Sequence, residues 1–295
     1  MTIILRTSEL AQSYLARLKA QIRSQQKILD RTPTLAVVTG SSDAGPSAYL
    51  RRISGLAEQA GINLQVVDIA GQNERNFCQT VRELGANKQI DGILILFPLP
   101  EEISRQAIID ALPPEKDVDC LHPLNLGSIM NGAPYFEPCT ATGALMATEH
   151  LVGDLRGKNC VIIGSSPVVG RPLTMRLLDR GATVSVVHID TQDIKSHCRK
   201  ADVLFSAVGK ARLVTADWIK PESCLIDIGI SYCPDEGRVV GDVDLKSVED
   251  IAYAVTAVPD GVGPLTTCTL LANTVKSAFN RAELNFSYPA LSQPQ

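Results

Sequence analysis

The sequence predicts an α/β protein built on parallel sheets, and three observations carry that prediction. Short runs rich in Val, Ile and Leu alternate along most of the chain with segments whose apolar residues recur every three or four positions, the pattern of strands alternating with helices. The run 92–97, Gly-Ile-Leu-Ile-Leu-Phe, is apolar throughout, as expected of a parallel strand covered on both faces. Residues 160–190 read as one complete βαβ unit: an apolar run ends on Gly164, a turn follows, Gly170 and Pro172 open a helix with Leu173, Leu177 and Leu178 on one face, and 183–187 is β-branched again. At 295 residues and 45% hydrophobic composition the chain can hold two domains with separate cores.

In chain order, residues 8–29 are expected to be helical, with Leu10, Tyr14, Leu18 and Ile22 repeating every four residues and Ser8 able to cap the start. Pro33 introduces a strand over 35–38, a polar turn spans 41–46, and a helix is expected from 47 to 60. Next come a strand at 64–69, a helix at 73–84 carrying Phe77, Val81 and Leu84 on one side, the strand at 92–97, and a short helix at 104–112 between prolines. Residues 125–138, rich in Gly, Asn and Pro, show no period and read as a crossover between domains. A linking helix is expected at 140–151, further strands at 203–207, 224–228 and 252–255, with 218–221 and 237–242 in loops, and a last helix at 266–282. The tail from Phe286 is expected to bury little.

A formal charge of −4 without a long basic run argues against nucleic acid or an anionic membrane as partner, and points to a small molecule. No apolar run approaches 18 residues and no secretory signal is evident, so a cytoplasmic location is expected. The eight cysteines never form a C-x-x-C pair and several lie in apolar runs, so they are expected to be reduced and mostly buried. His122, His150, His188 and His197 are scattered without metal-ligand spacing, and no metal is expected.

The turn between Gly164 and Gly170 gives the first chemical lead. It aims free N–H groups from a helix N-terminus, where the dipole adds positive charge, and a pyrophosphate is the natural guest. Those glycines are six apart with none between, whereas the dinucleotide fingerprint sets its outer glycines five apart. Spacing alone thus leaves open an ordinary buried βαβ crossover. Asp190, 20 residues after Gly170 at the end of the second strand, favours a dinucleotide, because a carboxylate there can accept ribose hydroxyls. It would repel a 2′-phosphate, which favours NAD over NADP.

Several motifs together resemble one family. They are Tyr49, Asp91-Gly-Ile-Leu-Ile-Leu-Phe-Pro-Leu-Pro100, Lys116-Asp-Val-Asp119 with His122-Pro123, and Pro138-Cys-Thr140. The second half adds Gly164-Ser165-Ser166, Val169-Gly170-Arg171-Pro172, Ala207-Val208-Gly209-Lys210, Ile226-Asp-Ile-Gly-Ile230, Val240-Gly-Asp-Val243 and Val258-Pro259-Asp260-Gly261-Val262-Gly-Pro264. The chain resembles the bifunctional methylenetetrahydrofolate dehydrogenase and methenyltetrahydrofolate cyclohydrolase family over nearly its whole length. The resemblance implies a folate-binding catalytic domain over 1–139 joined by the helix 266–283, a Rossmann-like NAD(P)-binding domain over 140–265, a tail over 284–295, and a homodimer. It also implies that Tyr49 packs against the folate rings, that Asp119 binds the amino-pyrimidine edge of the pterin through a charge-assisted fork, and that the 258–262 loop lines the substrate. Gly164, Ser165, Ser166, Val169, Gly170, Arg171, Pro172, Asp190, Val208, Gly209 and Ile230 are implied to line the dinucleotide.

The departures from the family pattern are informative. Its lysine four residues after the tyrosine is Ile53 here, its glutamine before the proline-rich strand end is Leu96, its glycine after the Asp-Val-Asp triplet is Cys120, and a glycine of the late loop is Asp260. Arg51 and Arg52 are expected to face elsewhere on the helix. Hydrolysis of a methenyl bridge needs a side chain that takes and returns protons, and loss of one costs ~100- to 10,000-fold in rate. Oxidation asks the protein mainly to align two rings. The resemblance therefore implies methylenetetrahydrofolate oxidation with absent or vestigial cyclohydrolase. Ser165, Ile189 and Asp190 stand where phosphate ligands would favour NADP. Two alternatives remain at this level: an enzyme on another small substrate, for which Asp260, Cys120, Ile53 and Leu96 would share one pocket, and a noncatalytic folate or nucleotide sensor.

Overall fold

The computed structural model describes residues 1–40 and 44–291. The chain opens with β1 (Ile3–Leu5), α1 (Ser8–Ser24) and α2 (Gln26–Leu29), then runs β2 (Thr34–Thr39), α3 (Ala44–Ala60), β3 (Asn63–Asp68), α4 (Glu74–Ala86), β4 (Gly92–Ile95) and α5 (Arg105–Ala111). Helices α6 (Pro123–Met130) and α7 (Cys139–Val152) lead into β5 (Asn159–Ile163), α8 (Gly170–Leu178), β6 (Thr183–Val187), α9 (Ile194–Cys198), β7 (Val203–Ser206) and β8 (Cys224–Asp227). The hairpin β9 (Ser231–Cys233) and β10 (Arg238–Val240), then α10 (Leu245–Val248), β11 (Ala254–Thr256) and the long α11 (Val262–Arg281), complete it.

Two parallel sheets carry the fold, one of three strands in the order β3-β2-β4 and one of six in the order β1-β11-β8-β7-β5-β6. Strands β2, β4, β5, β7 and β8 are buried on both faces, which is why they read as nearly continuous apolar runs. Leu35 and Val37 of β2 point to a core shared with α1, α3 and α11, while Ala36 and Val38 point to one built with Phe77, Val81 and Ile108. In β5 the same alternation sends Cys160 and Ile162 to one core and Val161 and Ile163 to the other.

Helices α7 and α11 join the two halves. Ala141, Ala144 and Leu145 of α7 enter the core of the six-stranded sheet, while Cys139 and Ala147 join the core of the three-stranded one. The two helices touch through backbone at Gly143, where a β-carbon would stand 2.7 Å from the Thr266 nitrogen. Asn273 of α11 fastens the same junction. Its amide donates to the carbonyls of Val118 and Glu137, 2.8 Å each, and its oxygen accepts from the Tyr288 hydroxyl at 2.6 Å.

The structure corrects the sequence reading at several places. Residues 3–5, assigned to no strand, pair with β11 at the edge of the six-stranded sheet. The helix expected over 8–29 breaks at Gln25, and Ser8 is its first residue, not its cap. Within the supposed crossover 125–138 lies most of α6, held by Pro123 at its first turn and by the His122 ring, whose Nδ1 accepts from the Leu124 N–H. Residues 238–240, read as loop, form half of a hairpin. The tail buries more than expected: Phe286 packs edge-on against Phe279 and Tyr288, and Leu291 adds to the same core. The polar turn at 41–46 falls partly outside the described residues, and from Ala44 the chain is helical.

Gly143→Ala is expected to destabilise the protein by about 1–3 kcal/mol, because the added methyl meets backbone that cannot yield. Gly55→Ala, in α3 with open space around its Cα, is expected to stabilise by ~0.5–1 kcal/mol through helix propensity. Urea unfolding of the two variants reads the difference; equal shifts would contradict the close helix contact.

Candidate active site

The turn that ends β5 is shaped by two glycines that no other residue can replace. Gly164 has φ +111°, and a β-carbon there would stand 2.7 Å from the Ala207 carbonyl oxygen, so the ends of β5 and β7 lie against each other. At Gly170 a β-carbon would fall 2.0 Å from the Gly164 oxygen, so the first turn of α8 closes directly on the strand end. Ser166 braces the turn between them, its hydroxyl accepting from the Val169 N–H at 3.2 Å and its carbonyl from the Arg171 N–H at 3.0 Å. The Arg171 guanidinium folds back to the Ser165 carbonyl at 3.1 Å, and Pro172 is buried in the first turn of α8. Asp190 lies just past β6, the neighbour of β5, with its side chain 85% exposed and 3.5 Å from His188 Nδ1. The sequence-predicted residues 164–166, 169–172 and Asp190 thus meet at one edge of the sheet, at the carboxyl ends of adjacent strands, where ligands of such sheets bind.

Val208, Gly209 and Ile230 stand beside them, Val208 and Ile230 exposed and Gly209 at φ +65°. What holds this loop is Asp242, a residue to which sequence reasoning gave no role. Its buried carboxylate accepts from the N–H groups of Val208, Gly209 and Lys210 and from the Ser206 hydroxyl, at 2.8–3.3 Å. Asp227 repeats the device by accepting from the Asp242 and Val243 N–H groups, 2.9 Å each. Glycines make room for both carboxylates: a β-carbon on Gly229 would strike Asp242, and one on Gly241 would strike Asp227. Burial pushes the Asp227 carboxyl up to about 7. The only sequence signal was the pairing of each aspartate with a glycine, Asp-Ile-Gly and Gly-Asp.

In the other half, α3 carries Tyr49, whose half-buried ring is hydrogen-bonded by Thr267 of α11 and feels the charge of Asp119. Burial and that carboxylate push its phenol upward. Asp119 is held by the turn before α6, in which fully buried Asp117 accepts from the Leu121 and His122 N–H groups at 3.0 and 2.8 Å and from the Asn125 amide at 2.8 Å. Burial and the neighbouring Asp117 raise the Asp119 carboxyl to about 7, against the pull of the Cys139 thiol and Arg105. Cys120 sits at φ +63°, a conformation natural to glycine.

Arg52 is a correction. A residue three along a helix is a neighbour on the same face, and its guanidinium carbon lies 5.2 Å from the Tyr49 ring centroid, against Gly263 at the start of α11. Arg51 is exposed. The shared pocket expected of Ile53, Leu96, Cys120 and Asp260 does not form. Ile53, Leu96 and Cys120 are 0, 4 and 2% exposed within one apolar core. Asp260, strained at φ +81°, turns its carboxylate to the Ser8 hydroxyl at the start of α1, and its carbonyl accepts from the Thr7 N–H at 2.8 Å. A carboxylate at a helix N-terminus is favoured by the dipole. The same loop exposes Pro259, sends the Gly261 carbonyl to the Thr7 hydroxyl, and buries Val262 as α11 begins.

All eight cysteines are free and seven are buried. Among the described residues no helix is long and apolar enough to cross a membrane, and no cluster of three His, Cys, Asp or Glu could hold a metal ion. A cavity of about 570 Å³ between α7, α8 and the C-terminal segment contains none of the predicted site residues.

Comparison with known proteins gives matches over both halves. Residues 5–119 match the model for the tetrahydrofolate dehydrogenase/cyclohydrolase catalytic domain, and residues 138–282 match its NAD(P)-binding domain. The chain is 40% identical to the bifunctional protein FolD of Burkholderia orbicola over 83% of its length and 86% of that protein. The structure resembles the bifunctional 5,10-methylenetetrahydrofolate dehydrogenase/cyclohydrolase of Thermoplasma acidophilum, with a TM-score of 0.88 and 32% identity over 96% of this chain and 100% of that one. It also resembles the Trypanosoma brucei methylenetetrahydrofolate dehydrogenase-cyclohydrolase, solved with NADP and an inhibitor, with a TM-score of 0.89 and 29% identity over 95% and 98% of the two chains.

Asp119 gives a pH test. Its carboxyl rises from an ordinary 3.8 to about 7 on folding, so its contribution to stability is full below about pH 4 and is lost as pH rises towards 7. Asp119→Asn is expected to gain stability relative to the unaltered protein across that window and to hold the gain above it. The shift at Asp227 is common to both proteins and cancels. Urea unfolding at several pH values checks this; a difference independent of pH would contradict it.

Proposed function

Since this chain belongs to the tetrahydrofolate dehydrogenase/cyclohydrolase family, we propose that it oxidises 5,10-methylenetetrahydrofolate to the methenyl form with NAD as the preferred acceptor, and that it does not hydrolyse the product at a useful rate. The observation that carries this reading is the contrast between the two halves of the reaction. The turn, the Asp242 brace and the Tyr49–Asp119 pair that would hold two rings together are present, while the positions that would handle protons are Ile53 and Leu96, sealed in apolar core.

The residues fit a dinucleotide. The glycine-only contact between Gly164 and Gly170 brings the α8 N-terminus to the strand end, where its N–H groups favour a pyrophosphate, and exposed Asp190 stands within the same edge to accept ribose hydroxyls. When bound, the nicotinamide accepts the hydride. Asp242 fixes the 208–210 loop beside it, and Ile230 and Val208 offer the apolar surface on which a ring would rest. In the other half Asp119, once ionised, accepts the paired N–H donors of a pterin edge, and Tyr49 presents a ring face. The substrate supplies its own driving force, because the two bridge nitrogens stabilise the cation left by the departing hydride.

NAD preference rests on Ser165, Ile189 and Asp190. None of them offers a positive charge to a 2′-phosphate, and Asp190 opposes one. The relatives named above are bifunctional, and the T. brucei structure holds NADP; the proposal is that this chain departs from both traits through these few substitutions.

The test is to supply methylenetetrahydrofolate with NAD or NADP and follow methenyl absorbance. The expected result is turnover with kcat/KM at least tenfold higher for NAD, and for Asp190→Ser a ratio lowered about tenfold. No methenyl signal with either nucleotide would defeat the reading, and a preference for NADP would defeat its cofactor half.

A further inference from the structure

Arg52 is a half-buried cation with no role in the dinucleotide or pterin contacts. It lies on the same face of α3 as Tyr49, with its guanidinium carbon 5.2 Å from that ring's centroid and its Nη1 at 2.8 Å from where a β-carbon of Gly263 would be. Its Nε is buried and has no hydrogen-bond partner among the described residues, and none of their carboxylates lies within ion-pair distance of it. Gly263 is the second residue of α11, so the charge also stands at a helix N-terminus, where the dipole disfavours it. A cation–π contact with Tyr49 offsets only part of such a cost. A half-buried, unpaired guanidinium is a group awaiting an acceptor.

Its chemistry limits what it can do. A guanidinium has five donors, no acceptor and no accessible neutral form. It cannot relay protons in place of a lysine amine at the next position, so it does not restore hydrolysis. It can donate to a carbonyl oxygen, and its fixed charge acts on any ligand charge sharing the cleft.

We propose that Arg52 sets which charge state of the folate one-carbon unit the cleft holds: it donates to the oxygen acceptors of neutral folates and repels the cationic methenyl form, speeding release of the oxidised product. The inference rests on the folate reading above and deepens it. The methenyl bridge is a cation and the 5-formyl group is neutral with a carbonyl oxygen, while the rest of the two molecules carries the same charge, so their affinity ratio isolates the effect of Arg52.

The experiment measures Kd for 5,10-methenyltetrahydrofolate and 5-formyltetrahydrofolate by fluorescence quenching, using the full chain and its Arg52→Lys and Arg52→Met variants. The unaltered protein and Arg52→Lys, which keeps the charge, are expected to bind the formyl compound about tenfold more tightly. Arg52→Met, which keeps the length and loses the charge, is expected to bring the ratio near one by strengthening methenyl binding. An unchanged ratio in Arg52→Met, with both ligands bound, would overturn the inference and leave the folate reading intact. Failure of the unaltered protein to bind either compound would overturn the folate reading and this inference with it.

Discussion

The approach of α7 to α11 at Gly143 is the contact on which the molecule depends. A β-carbon there would strike the Thr266 backbone, so the two helices lie closer than side-chain packing permits. Each helix serves both cores, because α7 divides its buried residues between the two sheets and α11 begins in one core and ends in the other. The start of α11 carries Gly263 and Thr267, which touch Arg52 and Tyr49. The loop before it is tied to α1 through Thr7 and Ser8. One backbone contact therefore sets the spacing between the three-stranded half, with Tyr49 and Asp119, and the six-stranded half, with the Gly164 turn.

The edge of the six-stranded sheet is held by a different principle. Two buried carboxylates, Asp227 and Asp242, each accept several backbone N–H groups and each occupy space that a glycine vacates. Backbone donors that would otherwise be unsatisfied at the strand ends find a charged acceptor, which is the stronger kind of hydrogen bond. The loop they order is the one beside Val208 and Ile230. On the other side, Asp117 performs the same service for the turn that presents Asp119. Rigid backbone, with few movable side chains, is what a reaction needing two aligned rings asks of a protein.

Much of this was legible in the chain. Continuous apolar runs such as 92–97 and 160–163 gave parallel strands because both faces of those strands are covered, and the glycines at 164 and 170 gave the turn because the contact between them excludes any side chain. What stayed hidden was set by distant partners. The strand β1 is three residues long and exists because β11 offers it an edge. The tail is ordered by Phe279 and Asn273 of α11, which meet Phe286 and Tyr288 beyond the end of that helix. Asp260 was read as a pocket residue because nothing local reveals that Ser8 lies beside it. Arg52 was recoverable from helix geometry alone, since three residues along a helix return to the same face.

The proposed loss of hydrolysis rests on hydrocarbon side chains at Ile53 and Leu96 and on a guanidinium at Arg52 that cannot relay protons. The most direct measurement adds purified protein to 5,10-methenyltetrahydrofolate without nucleotide and compares its rate of loss with the uncatalysed rate in the same buffer. The two rates are expected to stay close together at catalytic protein concentrations. Loss that rises in proportion to added protein, with formyltetrahydrofolate as product, would contradict it.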